Sequence, residues 1–173
     1  MGYAVELYFD KDSTNYLNSL CEKIESNILK IGAEPHISLS VHDQLNFEKV
    51  DIIVRDYAMK ISQFDLTISS IGQFPTSEGV LFVAPVPTIQ LLSIHSLFHH
   101  ILKDNGVAVN EYYKPGNWIP HCTMDFEPDF NSLAKKQKYL MDAFKSLALK
   151  VLSVGIVYFR PLITKSRYEL SNP

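Results

Sequence analysis

The chain has 173 residues, of which 46% are hydrophobic and 20% are charged, and this is enough to form at least one hydrophobic core. The formal net charge of −3 and a pI near 6.0 argue against an extended nucleic-acid-binding surface, whereas a small or terminal anionic ligand remains compatible. The two cysteines suggest no disulfide framework, and neither a targeting segment nor an apolar stretch of membrane-spanning length is visible. We therefore expect a monomeric, cytoplasmic protein without membrane contact.

The first half of the chain alternates strand and helix patterns. Apolar residues recur with helical spacing after the cap candidates Asp12 and Ser13, and alternating or β-branched segments lie on either side. The elements predicted here are a strand at 3–9, a helix up to Gly32, a strand at 35–42, a helix at 47–62 and a strand at 64–74. This half therefore has the order β-α-β-α-β.

The second half repeats that order. Its predicted elements are a strand at 79–86, a helix at 88–106, a strand at 119–126, a helix at 131–148 and a strand at 150–159. His36 precedes a strand start at Phe64 by 28 residues, and His121 precedes Leu149 by the same 28 residues. The sequence thus predicts an α+β fold of two pseudo-symmetric lobes, about 1–78 and 79–173, within one bilobal domain. We expect mostly antiparallel sheets flanking a central cleft, with lobes that can exchange their terminal strands.

A short motif occurs once in each half. "PHISLSVH" (35–42) and "PHCTMDF" (120–126) both place a hydroxyl two residues after a histidine that follows proline. Since residues i and i+2 of a strand face the same side, each motif presents an imidazole and a hydroxyl together. The polar faces predicted by strict alternation are His36, Ser38, Ser40 and His42 in the first motif, and His121, Thr123 and Asp125 in the second. Pseudo-twofold symmetry would bring the two faces together across the cleft.

Two imidazoles and two hydroxyls suit phosphodiester chemistry that needs no metal or other cofactor. One neutral histidine takes a proton from the attacking water or hydroxyl, and the other, as imidazolium, protonates the departing oxygen. Histidine takes both forms near neutral pH because its ordinary pKa is about 6.5. Ser38 and Thr123 would donate hydrogen bonds to the non-bridging phosphoryl oxygens, where negative charge grows. We therefore predict His36, His121, Ser38 and Thr123 as the catalytic residues.

On these motifs, their separation, the element order and the chain length, the sequence resembles the two-histidine phosphoesterases, also described as 2′-5′ RNA ligase-like or cyclic phosphodiesterase-like proteins. The resemblance implies a bilobal fold and activity on 2′,3′-cyclic phosphate RNA ends, cyclic nucleotides or 2′-5′ linkages, with a ligase-type reaction as a further option. It also implies that His36 and His121 are the acid/base pair. The chain departs from the RNA-ligase-like branch at Ser40, where that branch usually continues Phe-Leu-Gly, and at Phe126, where it commonly has a basic residue.

Other residues near the motifs are weaker candidates. Tyr113 and Trp118, in the loop before the second motif, could stack on a base or ribose, and we predict them as substrate-binding residues. Lys114 and Arg160 could neutralise phosphate charge, although a solvated surface role is the simpler interpretation. Cys122 alternates with His121 and Thr123, so we expect it in the core.

Two further functional hypotheses stay open. The first is a non-catalytic protein that binds nucleotides or RNA ends in the same cleft. The second is a metal hydrolase that uses motif histidines and the pair His95 and His99, which have the i, i+4 spacing of a zinc site but lack the adjacent glutamate of H-E-x-x-H. With His100 next to them, a solvated or half-buried helix face explains these histidines better.

Overall fold

We describe the fold from a computed structural model, which covers residues 2 to 172. The strands are β1 (Gly2–Phe9), β2 (His36–His42), β3 (Phe64–Phe74), β4 (Val80–Pro85), β5 (Cys122–Phe126), β6 (Leu147–Phe159) and β7 (Ile163–Glu169). The helices are α1 (Lys11–Lys23), α2 (Asn27–Lys30), α3 (Phe47–Ala58), α4 (Ile89–Asp104) and α5 (Phe130–Ala143), with a short 3₁₀ helix at Glu111–Tyr113.

These strands form one antiparallel sheet in the order β2-β1-β6-β3-β4-β5, and β7 pairs with β6 outside this path. The long strand β6 joins the two parts of the sheet. Its first residues, Leu147 to Val151, pair with β3, and its later residues, Ser153 to Tyr158, pair with β7. The predicted α+β class with antiparallel pairing is confirmed, whereas the duplication into two lobes stays a prediction.

The sheet curls enough to bring its two edge strands, β2 and β5, next to each other. On one face of the sheet, a single large core includes apolar side chains of α1, α3, α4 and α5. On the other face, a small cluster of Ala4, Tyr8 and Val157 covers part of β1 and β6. Because β1 is covered on both faces, its side chains are nearly all buried.

Three predicted helix ends were too far along the chain. The first predicted helix is broken at Glu25, whose φ of 51° ends α1, and Ser26 then caps the separate helix α2. The helix predicted for 47–62 ends at Ala58. The helix predicted for 131–148 ends at Ala143, because Leu147 already pairs with Ile68 of β3. Sheet pairing therefore overrides the helical spacing of this segment.

The strand β7 was not predicted from the sequence. Its segment, ITKSRYE, is mostly exposed and has no apolar face, so the alternation that indicates a half-buried strand is missing. It is held by pairing with β6, which supplies the ladder that the segment could not specify itself.

A β-bulge interrupts the alternation of each motif strand. Leu39 is the extra residue in β2, because Val5 pairs with Ser40 while the next residue, Glu6, pairs with Ser38. Met124 is the extra residue in β5, where Leu81 pairs with Asp125 and Phe82 with Thr123. The predicted polar faces are therefore wrong beyond the bulges, and the residues that turn into the interior instead are Ser40, His42 and Asp125.

None of the helices between residues 2 and 172 combines the length and the apolarity that a membrane span requires.

Neighbouring isoleucines on α3 test which face of this helix is in the core. Ile53 is 8% exposed and Ile52 is 51% exposed, although both have the same side chain in the same helix. We expect Ile53→Ala to lower the free energy of unfolding by about 2 to 4 kcal/mol, and Ile52→Ala to change it by less than about 0.5 kcal/mol. Urea denaturation of both variants measures the difference, and equal losses would contradict this orientation of α3.

Candidate active site

One cavity of about 730 Å³ brings the two motifs together. Its polar lining includes both motif histidines, both motif hydroxyls, Tyr113 from the loop before β5 and Glu6 from β1: His36, His121, Ser38, Thr123, Tyr113 and Glu6. The four residues predicted as catalytic thus share one space, and we call it the histidine cavity. Of the two predicted substrate-binding residues, Tyr113 lines it.

The two histidines are held in the same way. Nδ1 of His36 lies 2.7 Å from the carbonyl oxygen of Glu34, and Nδ1 of His121 lies 2.7 Å from that of Ile119, two residues earlier in each case. A carbonyl oxygen only accepts hydrogen bonds, so Nδ1 carries a proton in both rings. This leaves Nε2 of each ring as the nitrogen available for proton transfer.

His121 has aromatic surroundings. Phe74 lies edge-on to its ring at a centroid distance of 4.9 Å, and Phe82 lies at 5.3 Å. Burial lowers the pKa of His121 below its ordinary value, and the nearby His36 lowers it further. At neutral pH this ring is therefore neutral, with a lone pair on Nε2.

His36 has a carboxylate beside it. Oε1 of Glu6 lies 3.3 Å from Nε2 of His36, and Oε2 of Glu6 accepts a hydrogen bond from the Tyr8 hydroxyl at 2.8 Å. Burial, followed by the charge of Glu6, raises the pKa of Tyr8, so that this hydroxyl stays a donor. Glu6 was not predicted as a site residue, although a single carboxylate within the apolar strand YAVELYF is unusual enough to indicate a functional role.

The remaining wall of the histidine cavity is mostly apolar and carries one more charged pair. Arg160 donates to Glu78 at 3.2 Å, and both residues line the cavity. The apolar side chains around them include Ile28, Ile31, Phe126, Phe159 and Leu162. Lys114 pairs instead with Glu111 and lines a separate surface depression. Cys122 is buried in the core, as predicted.

Trp118, the second predicted substrate-binding residue, does not line the histidine cavity. Its indole is buried, stacks on His95 with a centroid distance of 3.8 Å, and donates from Nε1 to the carbonyl oxygen of Ser38 at 3.0 Å. The indole therefore binds a backbone carbonyl of the motif strand β2.

His95 and His99 are buried rather than solvated or half-buried as predicted. Nε2 of His95 donates to the carbonyl oxygen of Tyr113 and Nε2 of His99 to that of Leu39, both at 2.9 Å. Burial lowers the pKa of His95 to about 4 and also lowers that of His99. Both rings thus hold the backbone around the site. Within residues 2 to 172, no three His, Cys, Asp or Glu side chains are grouped closely enough to share a metal ion.

A comparison with protein-family models matches residues 31–160 to the 2′-5′ RNA ligase superfamily. The chain belongs to the 2′-5′ RNA ligase superfamily. This match covers both motifs and most of the chain, and it agrees with the resemblance that the two motifs indicate. A comparison with curated protein sequences found no match.

Solved structures of low sequence identity share the fold of this superfamily member. TT0787 of Thermus thermophilus has a TM-score of 0.67 and 14% identity, covering 99% of this chain and 99% of its own. E. coli LigT complexed with NADP+ has a TM-score of 0.60 and 15% identity, covering 99% and 98%. Kluyveromyces marxianus Usb1 has a TM-score of 0.50 and 11% identity, covering 94% and 96%.

The buried His95 makes stability depend on pH. The folded state keeps this ring neutral down to a pKa of about 4, whereas the unfolded chain takes up the proton below about pH 6.5. The free energy of unfolding should therefore decrease as the pH is lowered through this window. His95→Gln retains a donor for Tyr113 but cannot take up a proton. When the pH is lowered from about 7 to about 5, we expect the free energy of unfolding of this variant to decrease by about 2 kcal/mol less than that of the wild type.

Urea denaturation at both pH values measures this difference. His100→Gln on the exposed side of the same helix is the matched control and should lose as much as the wild type. An unchanged pH dependence in His95→Gln would contradict the neutral, buried state of this ring.

Proposed function

We propose that this protein is a metal-independent phosphodiesterase acting on 2′,3′-cyclic phosphate RNA ends, cyclic nucleotides or 2′-5′ linkages. The observation that carries the proposal is the pair of histidines in one cavity, each with Nδ1 bound to a carbonyl oxygen and Nε2 left for proton transfer. Membership of the 2′-5′ RNA ligase superfamily supports it. Both histidines come from one chain, so we propose that the monomer is the active form.

Hydrolysis of a cyclic phosphate uses the two imidazoles in opposite protonation states. Nε2 of the neutral ring removes a proton from water as the water oxygen bonds to phosphorus. The bond from phosphorus to one ribose oxygen breaks, and the imidazolium gives its Nε2 proton to that oxygen. One ring has gained a proton and the other has lost one, so exchange with solvent restores the starting state.

The Ser38 and Thr123 hydroxyls are suited to bind the phosphoryl group. Each hydroxyl stands two residues after its histidine, before the bulge, and each lines the cavity. Donation to the non-bridging oxygens stabilises the negative charge that grows there in the transition state.

The walls of the histidine cavity favour a small substrate. Its volume of about 730 Å³ is in the range of small-molecule sites, and Arg160, the one arginine among the described residues that line it, is paired with Glu78. Tyr113 and the apolar side chains provide surfaces for a base or ribose. E. coli LigT has been crystallised with 3′-AMP and with ATP, and we propose ligands of this nucleotide class for the present chain as well.

Removal of either histidine tests the catalytic pair. We expect His36→Ala and His121→Ala each to lower the rate of 2′,3′-cyclic mononucleotide hydrolysis by about 10² or more, because each change removes a group that transfers a proton. His100→Ala, which removes an exposed histidine of α4, is the matched control and should keep wild-type activity. Product release followed by chromatography measures the rates.

Three results would count against this function. Hydrolysis that survives either histidine change, or that stops when EDTA is added, contradicts metal-independent acid/base catalysis. Tight binding of 2′- or 3′-phosphorylated nucleotides without product from cyclic phosphates or 2′-5′ oligoadenylate would favour a binding protein instead.

Removal of the hydroxyls tests phosphate binding separately. We expect Ser38→Ala and Thr123→Val each to lower kcat by roughly tenfold or more, with a smaller change in KM, because the lost hydrogen bond strengthens as charge develops. Ser96→Ala, an exposed serine on α4, is the control for loss of a hydroxyl. A rise in KM at constant kcat would contradict a role in the transition state.

A further inference from the structure

The two motif histidines have matching backbone contacts but different surroundings at Nε2. In His36, the Nδ1 proton is already donated to Glu34, and Nε2 lies 3.3 Å from Oε1 of Glu6. At this distance the negative charge of the carboxylate stabilises a positively charged ring relative to a neutral one. The contact is favourable when Nε2 also carries a proton, as in the imidazolium.

The Glu6 carboxylate is fixed in this position. It is 5% exposed, and the Tyr8 hydroxyl donates to its other oxygen at 2.8 Å. The Arg167 guanidinium lies over the Tyr8 ring at 4.2 Å and donates to the Glu34 side chain at 2.8 Å. A series of contacts thus runs from Glu6 through Tyr8 and Arg167 to Glu34, whose carbonyl oxygen binds His36.

His121 has no such partner. Among the described residues, no acidic side chain forms an ion pair with it, and its neighbours Phe74 and Phe82 offer no group that stabilises a positive charge as a carboxylate does. The same Nδ1 bond to a carbonyl therefore leaves a neutral ring with a free lone pair at Nε2.

We propose that Glu6 is a positioning residue that holds His36 as the imidazolium, which makes His36 the general acid and His121 the general base. This assignment rests on the proposed phosphodiesterase function. The base takes the proton of the attacking water at Nε2 of His121, and the departing oxygen receives its proton from Nε2 of His36. The titratable and charged groups facing His36 from the surrounding elements are Glu6, Tyr8, Glu34, Tyr113, His121, Cys122 and Arg167.

The pH profile of Glu6→Gln tests this assignment. In the wild type, deprotonation of the acid sets the alkaline limb of kcat/KM for 2′,3′-cyclic mononucleotide hydrolysis, and protonation of the base sets the acidic limb. Without the carboxylate, the alkaline limb should move by about one pH unit or more to lower pH, while the acidic limb moves less. Glu48→Gln is the matched control, because this exposed carboxylate of α3 lies outside the histidine cavity and its loss should leave the alkaline limb in place.

Two outcomes would overturn the proposal. A uniform loss of activity at all pH values would indicate a structural role for Glu6, and a shift confined to the acidic limb would make His36 the base. If Glu6→Gln does not fold, Glu6→Leu, which matches the apolar neighbours of β1, takes its place with the same expected shift.

NMR titration of the imidazole nitrogens tests the effect of Glu6 on His36 independently of the proposed activity. In Glu6→Gln, His36 should lose its proton at lower pH than in the wild type, with little change at His121. This result would support the ion pair even if the wild type hydrolysed no phosphodiester, in which case the proposed function alone would fail. Unchanged titration of His36 would overturn the role of Glu6 whatever the activity.

Discussion

The site depends on one hydrogen bond made twice, from Nδ1 of a motif histidine to the carbonyl oxygen two residues earlier. This bond fixes the tautomer and the orientation of each ring from the backbone that leads into the strand, at Glu34 and at Ile119. Because the acceptor is a backbone group, its position depends on the chain path and not on a neighbouring side chain. Both Nε2 atoms are thereby available to the same cavity, and the phosphoryl-binding role that we propose for the hydroxyls of Ser38 and Thr123 depends on that arrangement.

The two bulges decide which polar groups belong to the site and which belong to the interior. Leu39 and Met124 are the extra residues of the bulges, and side chains donate hydrogen bonds to their carbonyl oxygens. His99 donates to the carbonyl of Leu39, and Ser26 donates to that of Met124. Asp125 turns inward beyond its bulge. Its carboxylate accepts one hydrogen bond from the backbone N–H of Asn27 and one from the ammonium group of Lys136, both at 2.6 Å. The bond from Asn27 attaches α2, which contributes Ile28 to the cavity wall, to the second motif strand, and the bond from Lys136 attaches α5 to the same strand.

A matching backbone frame thus carries two different chemical environments. The side of the first motif has a carboxylate, a phenol and a guanidinium arranged around His36, whereas the side of the second motif has two phenylalanines against His121. Acid/base catalysis of phosphodiester cleavage needs two groups in opposite protonation states at one pH. In this chain, the difference comes from residues outside the motifs, on β1, β3, β4 and β7.

The sequence by itself determined the features that depend on local order: the strand and helix order up to β6 apart from the break between α1 and α2, the His-x-Ser and His-x-Thr placement of imidazole and hydroxyl, and the superfamily. Only the tertiary structure decided which residues face the cavity beyond Leu39 and Met124, because a bulge arises from the register with the partner strand. It also placed Glu6 beside His36, buried Trp118 against His95, and formed β7 on the edge of β6. Periodicity records which side of an element is apolar, whereas these contacts join residues far apart in the chain and follow from how the sheet curls.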